Sequence, residues 1–358
     1  MKKSLIALAV LAASGASFAQ SIVQIDGAMD AGFQAIDYKG NKVNGFNGNG
    51  STTSQVNFRG VADLGGGLKA DFRVENDWNT VSNNANTGAK KADGSLANGA
   101  AWGNGEIRTG LAGNFGKVQF GAINNNSLIA NLTGQPFGTA IGSAHGSLVR
   151  SNSAGTAVRN DNSAQYISPV FNGFSAAYLQ SNAQNKATSA NFTSSMGAYQ
   201  QAGVKEASVA YTGYNIDARF TNLKQDNSPV AATNTTVNTL GANYAFGDAK
   251  VFLWNQTNKA DDGTVNTAGT TVSVTYTMGA TVLMAQAGSV KAKAGTYNGQ
   301  SSKLTSLGAD YNLSKTVALY GRYESIKDDA HLIAAAANAT DGSGNTRNRT
   351  ALGLRVAF

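Results

Sequence analysis

Between Ser54 and Trp78 apolar and polar side chains alternate, with a single glycine turn in the middle. In the first half Val56, Phe58, Ala62 and Leu64 share one face, and Gln55, Asn57, Arg59 and Asp63 share the other. Beyond the turn, Leu68, Ala70, Phe72, Val74 and Trp78 alternate with Lys69, Asp71, Arg73, Glu75 and Asp77. A period of two means β-strand, because successive side chains leave a strand on opposite sides. Asp63-Leu64-Gly65-Gly66-Gly67 supplies the turn, since glycine reaches positive φ at little steric cost. A soluble sandwich turns such an apolar face inward. A transmembrane barrel turns it toward lipid and lines a wet lumen with the charged face. This hairpin alone leaves both open.

The N-terminus narrows the choice. Lys2 and Lys3 precede a short apolar run, Ser4 to Ala13, and Ser17-Phe18-Ala19 places small residues at a cleavage position. That is the pattern of an export signal over 1–19, with a mature start at Gln20. No later stretch approaches the ~20 apolar residues of a membrane helix. The exported product is therefore a soluble protein or a β-barrel, and 20–358 reads as one domain. A mean hydropathy of −0.22 fits alternating strands, which pass an inner membrane where a long apolar helix would stop. With no cysteine, stability rests on backbone pairing and packing. Charged residues are 14% of the chain, against about 25% in an ordinary globular domain. Pro136, Pro169 and Pro229 all fall between strands, as residues that cannot donate to a ladder should. The +7 charge falls to +5 without Lys2 and Lys3, and its basic residues are dispersed among strands rather than clustered with stacking aromatics, which argues against nucleic acid.

The same unit recurs: strand, long polar loop, strand, tight turn. The first mature strand spans 22–33 and the second hairpin 106–122; further strand pairs meet at 169–173, Asn215, 247–248, 278–280 and 313–315. The count is about 16 strands with roughly seven short turns and eight long loops, the even, two-rimmed arrangement of an outer-membrane barrel. Phe115, Phe171, Phe174, Tyr214, Phe246 and Tyr311 recur beside the short turns, where an interfacial aromatic girdle belongs.

The chain closes on Leu352, Leu354, Val356 and Phe358 along one apolar face. Together with FRGVADLGGGLKADFRVEN (58–76), GLAGNFGKVQFG (110–121), RNDNSAQYISPVFNGFSAAY (159–178) and YNLSKTVALYGRY (311–323), this ending resembles the betaproteobacterial branch of the trimeric general porins of Gram-negative outer membranes. The resemblance implies an all-β, 16-stranded antiparallel transmembrane barrel in the outer membrane, a homotrimer, and passive diffusion of small hydrophilic solutes and anions. It implies lipid and lipopolysaccharide as surroundings and no enzymatic activity or cofactor. It also implies that Phe358 serves as the assembly signal and that the third external loop, about 124–160, folds inward. The tip of that loop in the family is Pro-Glu-Phe-Gly. Here it is Gln135-Pro136-Phe137-Gly138, and no acid occurs between Thr109 and Asn160, while Lys117, Arg150 and Arg159 do.

The basic part of a constriction follows from counting. Arg59, Arg73 and Arg108 lie five to six residues from short turns, which at ~3.3 Å per residue and ~45° tilt sets them roughly 12–14 Å above that rim. All three share the charged face on successive strands, so they create a potential that draws anions. Asp71, Glu75 and Glu106 on the same wall oppose it. Asp261-Asp262-Gly263 and Asp328-Asp329 lack the spacing of a calcium loop. His145 and His331 fall in loops with no catalytic motif around them, which sets aside a barrel enzyme. A sugar- or solute-specific channel stays as the alternative, with Trp254 and Tyr320 as candidate lumen aromatics.

Overall fold

The computed structural model describes residues 22–38, 41–78, 80–81, 104–145, 148, 158–182, 184–185, 200–201, 203–226, 233–295, 297–329 and 345–358. The export signal read over 1–19, Arg150 and His331 lie outside them. Sixteen strands form the wall: β1 (Ile22–Tyr38), β2 (Ser54–Gly65), β3 (Leu68–Trp78), β4 (Ile107–Gly113), β5 (Gly116–Asn124), β6 (Arg159–Ile167), β7 (Phe174–Ser181), β8 (Gly203–Gly213), β9 (Ile216–Asp226), β10 (Thr235–Phe246), β11 (Ala249–Ala260), β12 (Asn266–Met278), β13 (Thr281–Ala292), β14 (Ser301–Asn312), β15 (Val317–Asp328) and β16 (Asn345–Ala357). Each pairs antiparallel with its neighbours, and β16 returns to β1 from Ala28↔Ala357 to Tyr38↔Arg347. Closure leaves no edge, which is what a sheet in hydrocarbon requires.

The seam is finished by the last residue. Gly27 and Phe358 exchange backbone hydrogen bonds of 3.0 and 3.1 Å. Gly27 has to be small: a Cβ there would lie 2.2 Å from the Gln55 carbonyl and 2.9 Å from the Phe358 ring. The first half of β1 pairs with β2, and its second half also carries a short strand, Asn41–Asn47, inside what the sequence suggests is a plain loop.

Strand bounds differ from the sequence reading by a few residues because pairing extends the ladders into the loops. The inversion of faces holds. Phe120, Val209, Leu307 and Leu352 are exposed on the outer wall, while Ser208, Ser306 and Ala351 beside them are buried on the inner one. The six turn-side aromatics are all exposed, from Phe115 at 44% to Tyr214 at 89%. No helix among the described residues is long and apolar enough to cross a membrane. Apolar burial occurs instead inside the barrel, where Ala144 and Leu148 meet Trp254, Val290, Leu304 and Ile326, and Ile141 meets Tyr320 and Ala351.

Candidate functional site

Those inner contacts belong to the third loop, which lies within the lumen. It begins with a helix the sequence reading did not contain, α1 (Asn126–Thr133). At eight residues, with Asn and Ser at its start, α1 has little helical stability of its own. The wall supplies it. The Glu206 carboxylate on β8 accepts the backbone amides of Asn126 at 2.5 Å and Ser127 at 2.7 Å, satisfying donors that a helix start leaves open. At its other end Asn243 donates to the Thr133 carbonyl at 2.9 Å, and the Trp254 indole N–H donates to Asn131. The helix can lie this close because Gly241 on β10 has no side chain; a Cβ there would fall 1.7 Å from the Ala130 carbonyl oxygen.

The loop then crosses to β13–β16. The Gly142 carbonyl accepts from Gln286 at 3.0 Å and Ser306 at 2.8 Å, and its amide donates to Glu324 at 3.0 Å. Glu324 is fully buried and also holds Arg347 at 2.8 Å and Arg349 at 2.6 Å. Arg322 pairs with Asp310 at 2.7 Å and sits over the Phe137 and Tyr320 rings. The loop therefore lies against the inner surface from β8 to β16, and it also meets β6, where Gln165 donates to Asn126 at 3.2 Å, and the β1–β2 connection, where the Thr53 and Thr139 hydroxyls lie 3.0 Å apart.

The arginines stand on β2, β3 and β4, in register. Arg59 pairs directly with Arg73 across β2–β3, and Arg73 with Arg108 across β3–β4. Neighbouring strands lie about 4.8 Å apart, so the three form one short transverse row. On β5 the row meets Gly121, where the β5–β6 register shifts. Each arginine has a carboxylate. Arg59 meets Asp26 at 2.9 Å; Arg73 meets Glu106 at 2.9 Å and also Glu75; Arg108 meets Asp71, with Glu106 at 3.5 Å. Lys117 joins at Asp71, 2.8 Å, and Arg159 at Glu75, 3.3 Å. Among the described residues these five cations pair with four anions, Asp26, Asp71, Glu75 and Glu106, and the Asp77 carboxylate acts on Glu75 as a further negative charge. Asn57 bridges it, accepting from Arg73 at 2.9 Å and donating to Asp26 at 3.0 Å. The Arg59 side chain is 45% exposed, against 18% for Arg73 and Arg108.

Arg59, Arg73, Arg108, Asp71, Glu75, Glu106 and Lys117 are therefore brought together as the sequence suggests. The Gln135–Gly138 turn is not part of that cluster. Gln135 and Phe137 are buried in the loop's own packing: Gln135 accepts the Ala144 amide at 2.7 Å and donates to Ser143 at 3.0 Å, and Phe137 lies against Arg322. They brace the loop rather than present to the lumen, because a side chain held between loop and wall has no water-facing side. Pro136 and Gly138 remain partly exposed, Gly138 at φ +57°. Asp26, Asn57 and Arg159 complete the network and are missing from the sequence-based set. Arg159 reaches it only through the closure of β6 on β5, while Asp26 sits on the same face of β1 as Gln24, which was a usable signal.

Trp254 and Tyr320 are buried under the inserted loops, with the Tyr320 hydroxyl donating to Asp30 at 2.6 Å, so neither offers a ring to a passing sugar. His145 is buried too. Among the described residues no group of three or more His, Cys, Asp or Glu is placed to hold a metal. Asp262 accepts from the Thr264 amide and hydroxyl and the Thr233 hydroxyl; the Thr264 hydroxyl, then that of Thr233, hold its carboxyl below the usual range. Asp328 is buried and accepts from Ser302.

A closed barrel with a loop strapped across its inner wall is an architecture with known counterparts. The sequence profile of the Gram-negative porin family matches residues 5–331. The chain belongs to that family. It is 32% identical to outer membrane porin protein 32 of Delftia acidovorans, over 379 aligned positions that cover 100% of this chain and 99% of that protein. Its fold matches that of an anion-selective porin from Comamonas acidovorans, with a TM-score of 0.72 at 24% identity over 95% of this chain and 100% of the other. The trimer form of OmpT from Vibrio cholerae matches with a TM-score of 0.66 at 14% identity, over 95% and 100%. This porin is accordingly an outer-membrane protein and not an enzyme.

Proposed function

We propose that this porin is a water-filled channel for passive diffusion of small hydrophilic solutes and ions, with a preference for anions set by the Arg59–Arg73–Arg108 row. The observation that supports the preference is the row itself: three arginines in direct register, with the half-exposed Arg59 at one end. In a narrow aqueous lumen the charge of an exposed arginine acts over a Debye length of about 10 Å at 0.1 M salt. Arginine keeps its charge at any relevant pH. Asp71, Glu75 and Glu106 hold the row in place and limit the size of the effect. Lys117 belongs to the same field, while Gln135, Pro136, Phe137 and Gly138 act by shaping the loop. The anion selectivity named for the Comamonas protein points the same way.

The working unit is a homotrimer, in keeping with the trimer form of the Vibrio relative. Export under a signal at 1–19 delivers a single barrel domain, 20–358, into lipid and lipopolysaccharide. Phe358, paired with Gly27 at the seam, is the assembly terminus. Planar-bilayer reversal potentials in a KCl gradient test the preference. A potential of the sign for chloride is expected; a clear cation preference overturns this assignment.

A further inference from the structure

We propose that Arg159 is a positioning residue for the arginine row: it ties the neck of the third loop to Arg73 through Glu75, so that loop position and ion preference change together. The inference rests on the reading of Arg59, Arg73 and Arg108 as the selectivity element. The third loop leaves the wall after Asn124, the last residue of β5, and returns at Arg159, the first of β6. These two residues pair across the ladder, just past the register shift between Gly121 and Ile123. The Asn125 amide donates to the Val158 carbonyl at 2.9 Å, and the buried Asn160 side chain donates to that of Asn125 at 2.5 Å. The departing and returning chains are thereby closed into a narrow neck.

The Arg159 guanidinium reaches acceptors on three segments. Its Nε donates to Asn124 Oδ1 at 3.0 Å, one Nη to the Asn104 carbonyl at 2.8 Å and the other to Glu75 Oε1 at 3.3 Å. The second Glu75 oxygen accepts from Arg73. Glu106 repeats the arrangement: Oε1 accepts the Asn124 amide at 3.2 Å, and Oε2 accepts from Arg73 at 2.9 Å. Two carboxylates therefore each give one oxygen to the loop neck and the other to the middle arginine of the row. Both are buried, so a bond lost on either side is not simply replaced by water. A shift of the neck is passed through both carboxylates to Arg73, and through Glu106, at 3.5 Å, to Arg108. The link needs a planar fork. A lysine ammonium at the same position keeps the charge but gathers it on one compact group that cannot hold three acceptors in these directions.

Planar-bilayer reversal potentials and single-channel records of the full-length protein test the assignment. Arg159→Lys keeps the charge of the pore and breaks the fork. It should lower the anion-to-cation permeability ratio by about twofold, the lower end of what such networks transmit, and raise the open-channel noise. Asn124→Ala changes no charge, removes the Nε acceptor and should act in the same direction. Lys315→Arg, in the exposed turn between β14 and β15, should match the parent. Heat-modifiable gel mobility shows whether a variant is folded; where Arg159→Lys does not assemble, Asn124→Ala decides in its place. If Arg159 acts by its charge alone, the lysine variant keeps the parent ratio. If it only stabilises the fold, the melting temperature falls and the ratio stays. Either result overturns the proposal. The parent's own reversal potential tests the anion reading separately, because the positioning role is read from the shift between variant and parent.

Discussion

The Gly142 amide donates to the Glu324 carboxylate at 3.0 Å, joining the third loop to β15 across 182 residues of sequence. The same carboxylate holds Arg347 and Arg349 from β16, so one buried anion fixes a loop and a pair of wall cations together. Glu324→Gln removes the charge while keeping the shape. Breaking a buried pair from one side costs about 3–5 kcal/mol, and here two arginines lose their partner. The expected result is a lower unfolding temperature in heat-modifiable gel assays and a noisier, larger single-channel current. An unchanged quiet current would mean that Gln286 and Ser306 suffice to hold Gly142.

Gly241→Ala places a methyl 1.7 Å from the Ala130 carbonyl oxygen, backbone that has no flexible end to swing away. The α1 helix must lift from β10, giving up the Asn243 and Trp254 contacts. Altered conductance with an intact barrel is expected. Gly45→Ala, with open space around its Cβ, is the matched control and should leave the recordings unchanged.

Arg59→Ser and Arg73→Ser each subtract one positive charge but differ in what they leave behind. Arg59 is half exposed with a single partner, and exposed pairs contribute about 0–1 kcal/mol, so stability should hold while the anion-to-cation permeability ratio falls. Arg73 is only 18% exposed and is held between two buried carboxylates, Glu75 and Glu106, so its loss should lower the ratio and the thermal stability together. Reversal potentials and melting measurements on the two variants separate these effects.

Screening provides a test without mutation. Raising ionic strength from 0.1 M to 1 M shortens the Debye length from about 10 to 3 Å. The anion preference should decline over that range toward the ratio of free-solution mobilities. A preference that stays constant would point to a steric filter rather than a fixed field.

Much of the wall was readable because its signal is local. The Ser54–Trp78 hairpin is bounded by the same residues in the sequence pattern and in the fold, since alternation and a glycine turn require no distant partner. The shared face of Arg59, Arg73 and Arg108 was legible for the same reason. Their direct opposition was not, because register depends on how each hairpin docks on the next. Glu206 shows the opposite extreme. Nothing near it distinguishes it from any other inward-facing polar residue, and its task, holding the start of α1, concerns residues about 80 positions earlier.

Amino-acid order alone determined the strands, their two faces, the alternation of short turns and long loops, and the three arginines on the wet side. These follow from the stereochemistry of an extended chain, where each side chain's direction is set by its neighbours. Tertiary structure decided where the third loop lies, that Gln135, Phe137, Trp254 and Tyr320 are sealed beneath it or within it, and that Asp26 and Arg159 complete the charge network. Those outcomes depend on barrel closure, which brings together groups separated by tens to hundreds of residues and lets burial and ion pairing choose among them.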